Sequence, residues 1–357
     1  MLKELIEPSI NGTLSVIGKT GMGSLYCEKR PGVCILMYHG FTDVVEPPGL
    51  ENLIGLHQNI DEFRKLARIL SREYNVISLN QLVESERNGI ELPPASVVLT
   101  FDDGYASNYE LAYPILKEFD LHATIYVATA FVDEGQFLWP DRLEYALGNT
   151  KETELKLDFP GLPKTLDLSS KEAAGLSLKE LDPAIKALSQ ESYLDAVAHV
   201  EDRCGFALAS AKEVPSIYRP LSWSQIREMN ESPYVSIGAH THNHRILGRC
   251  DLDTVRQELE ENLSLLKLKG AVNDPSFAYP NGQAADHNEG TRKILKEQGV
   301  DVALTTERGL NIDDLDLMTL ERIASPPTAA QAAAVCSGLP FAIKKKVERI
   351  LGRNLLF

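Results

Sequence analysis

The sequence predicts an α/β protein: a closed or nearly closed barrel of about seven or eight parallel strands, ringed by helices and carrying one mostly helical insertion. Three observations predict it. Strand-like apolar runs alternate with amphipathic, helix-like runs, the βαβα order of a parallel sheet covered by helices. The number of those strands suits a barrel. A polar stretch over 150–220 breaks the rhythm, after which the alternation resumes.

The strands in chain order are VCILMYH (33–39), NVISL (75–79), SVVLTF (96–101), HATIYVA (122–128), YVSIGAH (234–240), SFAYP (276–280), VDVALTT (300–306) and, with the weakest pattern, MTLERI (318–323). Helical spacing of apolar residues predicts helices around 60–72, 107–119, 141–148, 223–230, 251–268 and 288–298. Pro160-Gly161 marks a short hairpin at the start of the insertion. Residues 1–32 read as an N-terminal extension, 33–325 as the barrel and 326–357 as a C-terminal helical tail. Within the tail, FAIKKKVERILGRNLLF (341–357) carries five basic residues and one acidic one. It suits either a terminal helix packed on the body or a basic amphipathic helix resting on an anionic membrane surface.

With 357 residues, 43% of them hydrophobic, the chain can bury a large core. Its net charge of −15 argues against a nucleic-acid surface. The five cysteines, at 27, 34, 204, 250 and 336, are scattered without a CxxC pair, which suits buried thiols in a reducing compartment. No convincing signal peptide and no membrane-spanning apolar run is visible. The expected location is the cytoplasm, with peripheral contact at the inner membrane face through 341–357.

The chemistry concentrates in two stretches. GAHTHNHRILG (238–248) holds three of the eight histidines: His240, His242 and His244. If the chain turns helically after the strand, His240 and His244 share a face and can share a metal ion, while His242 points elsewhere. SVVLTFDDG (96–104) ends a strand in Asp102 and Asp103. Two adjacent, desolvated carboxylates need a cation. Helix capping is the ordinary use of such an aspartate, but Ser107 is free to cap the helix that follows. Two imidazoles and one carboxylate make a three-ligand site with a position left open. Zinc is the first choice, and cobalt, nickel or iron(II) fits the same donors.

TFDDG followed much later by HTHNH resembles the NodB-homology polysaccharide deacetylases, carbohydrate esterase family 4, over roughly residues 33–325. The resemblance implies a distorted (β/α) barrel of about seven strands and a metal-dependent hydrolase that removes an N-acetyl group from an amino sugar. It implies Asp102 as the base and Asp103, His240 and His244 as metal ligands. Thr241 matches the Ser/Thr after the first histidine, and a backbone N–H near Tyr105 is placed to help hold the oxyanion.

The sequence departs from the pattern twice. The late strand, LERIAS (320–325), lacks the family's usual acidic histidine. His39, at the end of the first strand, is expected to replace it. Met-Tyr-His-Gly resembles the branch of the family that acts on exopolysaccharides and other surface glycans. Ala278 in FAYPNG stands where the family carries a base-orienting arginine, and Arg322 is the candidate substitute. Tyr279 and Pro280 are expected to shape the groove wall, and Trp139 to stack on a sugar ring. Trp223 reads as packing and His287 as a solvated loop residue. The expected partner is an N-acetylated sugar or oligosaccharide. The same residues leave open a deformylase or other C–N amide hydrolase, and a non-catalytic glycan-binding protein on this fold. Two histidines and one carboxylate also describe non-haem iron oxygenases, in which the second aspartate has no task.

Overall fold

The computed structural model describes residues 32–271, 274–312 and 314–341. Its strands are β1 (Cys34–Tyr38), β2 (Gly40–Thr42), β3 (His57–Asn59), β4 (Asn75–Val76), β5 (Ser96–Phe101), β6 (Ala123–Val127), β7 (Glu154–Lys156), β8 (Thr165–Asp167), β9 (Val235–Ala239), β10 (Ser276–Ala278), β11 (Val302–Leu304) and β12 (Ile323–Ala324). The α-helices are α1 (Ile60–Glu73), α2 (Leu79–Asn88), α3 (Tyr113–Phe119), α4 (Thr129–Asp133), α5 (Trp139–Asn149), α6 (Lys171–Ala187), α7 (Tyr193–Cys204), α8 (Trp223–Asn230), α9 (Leu252–Leu268), α10 (Glu289–Glu297) and α11 (Ala329–Cys336).

Seven parallel strands run in the order β11-β10-β9-β6-β5-β1-β12, with β4 beside the start of β5. The two ends of this curled sheet meet through a single parallel bridge, Leu304 to Leu320, backed by Thr305 N–H donating to the Leu320 carbonyl at 2.8 Å. This is the distorted barrel. Alternation along each strand sorts side chains into two cores. Leu36, Tyr38, Leu99, Phe101, Ile125, Ile237 and Phe277 pack in the cluster that includes the helices. Ile35, Val98, Tyr126, Ala278 and Leu304 share a second cluster. Six of the eight expected strands are present much as read, because strands buried on both faces read as continuous apolar runs; the runs 75–79 and 318–323 shrink to two-residue strands, β4 and β12, that overlap the expected spans only at Asn75–Val76 and Ile323.

Several local readings change. Helix α2 starts directly after β4, with Ser78 and Gln81 forming a reciprocal capping box. Ser107 caps nothing: its hydroxyl accepts the Phe41 N–H at 2.9 Å, and the following segment opens as a π-turn over Asn108–Ala112. Strands β2 and β3 pair only with each other and are too short to show a period. Part of the expected tail belongs to the barrel: α11 packs on α1, Tyr74 Oη donates to the Ala333 carbonyl at 2.8 Å, and Ala329 N–H donates to Glu62 at 2.8 Å. The rest of the tail, 342–357, and the extension up to 31 lie outside the described residues. Among the described residues, no helix is long and apolar enough to cross a membrane.

The insertion has its own apolar core, and that core begins before residue 150. Trp139, Leu143 and Leu147 of α5 pack with Leu155 and Leu166 of the β7–β8 hairpin and with Leu178, Leu181, Val197 and Val200 of α6 and α7. Leu50, from the loop after β2, joins them.

On β9, Gly238 has no room for a side chain: an added Cβ would lie 2.5 Å from the Tyr126 ring and 2.7 Å from Ser276 Oγ. Overpacking of this kind costs about 1–3 kcal/mol. Gly238→Ala is therefore expected to lower the thermal midpoint, and Tyr126→Leu in the same chain to recover part of the loss; differential scanning calorimetry checks both.

Candidate active site

Parallel strands put their C-terminal ends on one rim, where His39, Asp102 and His240 each follow a strand. Asp102 is still held to the sheet, its N–H donating to the Tyr38 carbonyl at 2.9 Å. At Asp103 the backbone turns left-handed, φ +76°, followed by Gly104 at φ +93°. That reversal separates the two carboxylates. Asp102 meets Arg322, with Nη1 donating to Oδ1 at 2.7 Å and Nη2 to Oδ2 at 2.8 Å. The register places Arg322 level with Val98, so its side chain runs along the sheet past Thr100 to reach the base. Its Nε–H donates to the Thr305 carbonyl at 2.8 Å. Burial alone would raise the Asp102 pKa; the Arg322 charge and hydrogen bonds, together with His240 and His39, outweigh it and hold the carboxyl below the usual range.

Asp103 faces the histidines. Its Oδ1 lies 3.3 Å from His240 Nε2 and 3.3 Å from His244 Nε2. His240 Nδ1 donates to the Ala278 carbonyl at 2.7 Å, which leaves Nε2 of the neutral ring a bare lone pair. One ligand atom from each of Asp103, His240 and His244 falls within 4.8 Å of the others, and Asp103 Oδ1 is buried with no hydrogen-bond partner. A buried carboxylate oxygen facing two imidazole nitrogens fits a divalent cation. The two rings do not converge by a helical turn, as their spacing led us to expect. Thr241 and His244 are left-handed, φ +62° and +55°, and these two reversals bring the ring centroids to 4.9 Å.

Residues far away in sequence hold this turn. On α9, Asn262 Nδ2 donates to the Thr241 carbonyl at 2.5 Å and to the Val127 carbonyl at 2.9 Å. One turn earlier, Glu258 accepts from Asn243 N–H and Nδ2, both at 2.8 Å, and pairs with Arg245 at 3.0 Å. From the insertion, Gln190 Oε1 accepts the Ile246 N–H at 2.9 Å and its carbonyl accepts Arg245 Nη1 at 3.2 Å. Sequence reading missed all three. A signal existed for two: Glu258 and Asn262 interrupt the apolar stripe Val255, Leu259, Leu266 on the buried face of α9.

The other expected residues fall in different places. His39 is half-buried on the rim, near enough for its charge to lower both aspartates. Tyr279 is not a groove wall. The Tyr105 side chain is fully buried, its hydroxyl donating to Asp141 at 2.9 Å. Tyr279 is 1% exposed and donates to the Met318 carbonyl, because its ring fills the core between sheet and helices. Pro280 is buried beside it. His287 is not simply solvated; it stacks on Tyr279 at 4.4 Å. Trp223 packs on the core and donates to Asp133 at 2.6 Å. His242 turns away to Thr129 Oγ1 at 2.9 Å. Trp139 lies in the insertion core but also lines a cleft that opens beside His244. One buried histidine was not foreseen: His57 on β3 stands edge-on to Tyr105 at 4.7 Å, and burial pushes its pKa down to about 3.

A distorted parallel barrel with paired aspartates and two histidines on its C-terminal rim is the NodB-homology fold and site. The polysaccharide deacetylase family model matches residues 89–167 and 175–303, and the chain belongs to that family. Over 60 residues, 17% of this chain, it is 43% identical to the poly-β-1,6-N-acetyl-D-glucosamine N-deacetylase of Escherichia coli strain K12; that stretch spans 9% of the relative. Among solved structures, the Streptococcus pyogenes deacetylase PplD in complex with acetate is similar over 86% of this chain and 99% of its own, with a TM-score of 0.57 at 22% identity. IcaB from Ammonifex degensii is similar over 86% of this chain and 97% of its own, with a TM-score of 0.53 at 17% identity.

The Asp102–Arg322 pair has a depressed carboxyl pKa in the fold. It therefore stabilises the protein above the unfolded value of about 3.9, and the contribution is lost as pH falls through the folded value. Arg322→Gln leaves a buried carboxylate unpaired and is expected to cost about 3–5 kcal/mol at neutral pH, less in acid, by denaturant melts across pH. Glu258→Ala frees the histidine turn and is expected to weaken divalent-cation affinity at the triad about 10–100-fold in a chelator competition.

Proposed function

We propose that this protein hydrolyses the N-acetyl group of an amino sugar within a glycan or a glycan-assembly intermediate. The carrying observation is the division of the aspartate pair: Asp103 converges with His240 and His244, while Asp102 stands beside them on its own cation, Arg322. Family membership supports the same chemistry. A divalent cation at the triad, with zinc favoured and cobalt, nickel or iron(II) compatible, would supply a Lewis acid for the amide carbonyl and lower the pKa of a water.

The chain's own residues divide the remaining work. Asp102 is kept ionised by Arg322 and takes the proton of the water that attacks the carbonyl carbon. The Tyr105 peptide is held at the strand end by its neighbours, Ala106 N–H to the Arg219 carbonyl at 2.8 Å and Leu221 N–H to the Gly104 carbonyl at 2.9 Å. Its N–H is the donor proposed for the developing oxyanion. As the C–N bond breaks, His39 gives a proton to the departing amine. Acetate and a free amino sugar are the products. The E. coli relative's name makes β-1,6-linked N-acetylglucosamine the first substrate to try.

Acetate release from N-acetylglucosamine monomers, β-1,6-linked oligomers and lipid-linked precursors tests this reading. Release is expected to need added metal, to stop with a chelator, and to fall about 10²–10⁴-fold in both Asp102→Asn and His39→Ala, at unchanged metal content. No release from any of these substrates, with one ion bound per chain, sinks the deacetylase reading. A full rate in His39→Ala removes His39 alone.

A further inference from the structure

Asp141 lies in the first turn of α5, 1% exposed, and the hydrolytic step described above does not use it. Its carboxyl accepts the Tyr105 hydroxyl at 2.9 Å. Burial, and then the neighbouring Glu144, hold that carboxyl well above the usual range, so the neutral acid is favoured. One turn further along α5, Glu144 accepts the Asn52 N–H at 2.8 Å, the Leu53 N–H at 2.6 Å and the Tyr218 hydroxyl at 2.9 Å. Asn52 in turn brackets the backbone of His57, accepting its N–H at 2.8 Å and donating to its carbonyl at 2.7 Å. The His57 ring meets Tyr105 edge-on, which closes the circle. Tyr105 is therefore held from two sides by one helix: directly through Asp141, and through Glu144, Asn52 and His57.

We infer that Asp141 is a positioning residue for the oxyanion donor: through the Tyr105 hydroxyl it fixes the direction of the Tyr105 N–H. The inference rests on the deacetylase reading and extends it. The peptide that carries this N–H begins at Gly104, left-handed at φ +93° and directly after the left-handed Asp103. Glycine leaves the plane of that peptide free to rotate. On one side Leu221 N–H donates to the Gly104 carbonyl at 2.9 Å, which turns the N–H of the same trans peptide the opposite way. On the other side the Tyr105 side chain is the handle. Its ring lies edge-on to His57 at 4.7 Å and to Phe131 at 5.3 Å, contacts that limit its tilt. The hydroxyl bond to Asp141 adds a directional contact that stops the ring sliding between them. An oxyanion donor works only when it is aimed at the place where charge develops, so a small misplacement is felt in the transition state and not in substrate binding.

Four variants of the full chain test this: Tyr105→Phe, Asp141→Asn, Asp141→Leu and the double variant Tyr105→Phe/Asp141→Leu. For each, kcat and KM are measured for acetate release from β-1,6-linked N-acetylglucosamine oligomers, together with zinc content and thermal midpoint. Tyr105→Phe and Asp141→Leu are each expected to lower kcat about 10–100-fold, with KM changed by less than about twofold and zinc content unchanged. The double variant is expected to be no slower than the slower single one, because both changes remove the same bond. Asp141→Asn is expected to restore most of the rate, since an amide oxygen accepts the same hydroxyl. Tyr105→Phe deletes one oxygen and leaves the ring in place, so it decides the matter even where Asp141→Leu fails to fold. A full kcat in Tyr105→Phe overturns the inference, as do losses that multiply in the double variant, a loss in KM in place of kcat, or an Asp141→Asn as slow as Asp141→Leu. Each of those results leaves the deacetylase standing. No acetate from the unaltered chain takes down both.

Discussion

Two carboxylates one peptide bond apart cannot both be buried unless each meets a positive charge. Asp102 and Asp103 are 2% and 3% exposed, so water screens neither, and their mutual repulsion and desolvation together amount to several kcal/mol. The fold answers by turning the backbone left-handed between them. Asp102 stays with the sheet and takes Arg322; Asp103 turns outward to the two imidazoles. The rim geometry follows from this separation, because two adjacent carboxylates must sit side by side and yet face different partners, a guanidinium and a pair of imidazoles.

That solution is strained and has to be held. Asp103, Thr241 and His244 are all left-handed without being glycine, at about 1–3 kcal/mol each. The restraints come from outside the motifs. Ala128 N–H donates to the Asp103 carbonyl at 3.2 Å, Asn262 ties the Thr241 carbonyl to the end of β6, and Glu258 and Gln190 grip the next residues from α9 and the insertion. The histidine turn is thus clamped between the barrel and a second apolar core, which gives the insertion a role at the site as well as a place on its edge.

The arginine reaches its aspartate from a distant part of the chain. Ala278 on β10 carries no charge; its carbonyl fixes the His240 tautomer instead. The guanidinium arrives from the residue just before β12, along the sheet past Thr100. Level with Ser276 on β10, Gly238 leaves the space that the Tyr126 ring fills.

Much of this was legible in the sequence. The parallel strands announce themselves as continuous apolar runs, since a strand buried on both faces has no polar side to show. Asp102, Asp103, His240 and His244 stand out because crowded histidines and paired acids are costly without a shared purpose. Short-range features were also readable in principle, such as the Ser78–Gln81 capping box and the polar residues on the buried stripe of α9. The ladder of β2 and β3 was not, for three-residue strands have no period. Nor was the burial of Tyr279, expected at the groove wall, whose hydroxyl donates to the Met318 carbonyl. The sequence by itself determined the barrel, the insertion and the four residues at its chemical centre, because apolar periodicity and local charge crowding are properties of neighbours along the chain. Only the tertiary structure decided that Arg322 meets Asp102 across 220 residues, that α9 and the insertion hold the histidine turn, and that a cleft opens beside it. Those contacts depend on strand register and on how two cores dock, and no local pattern encodes either.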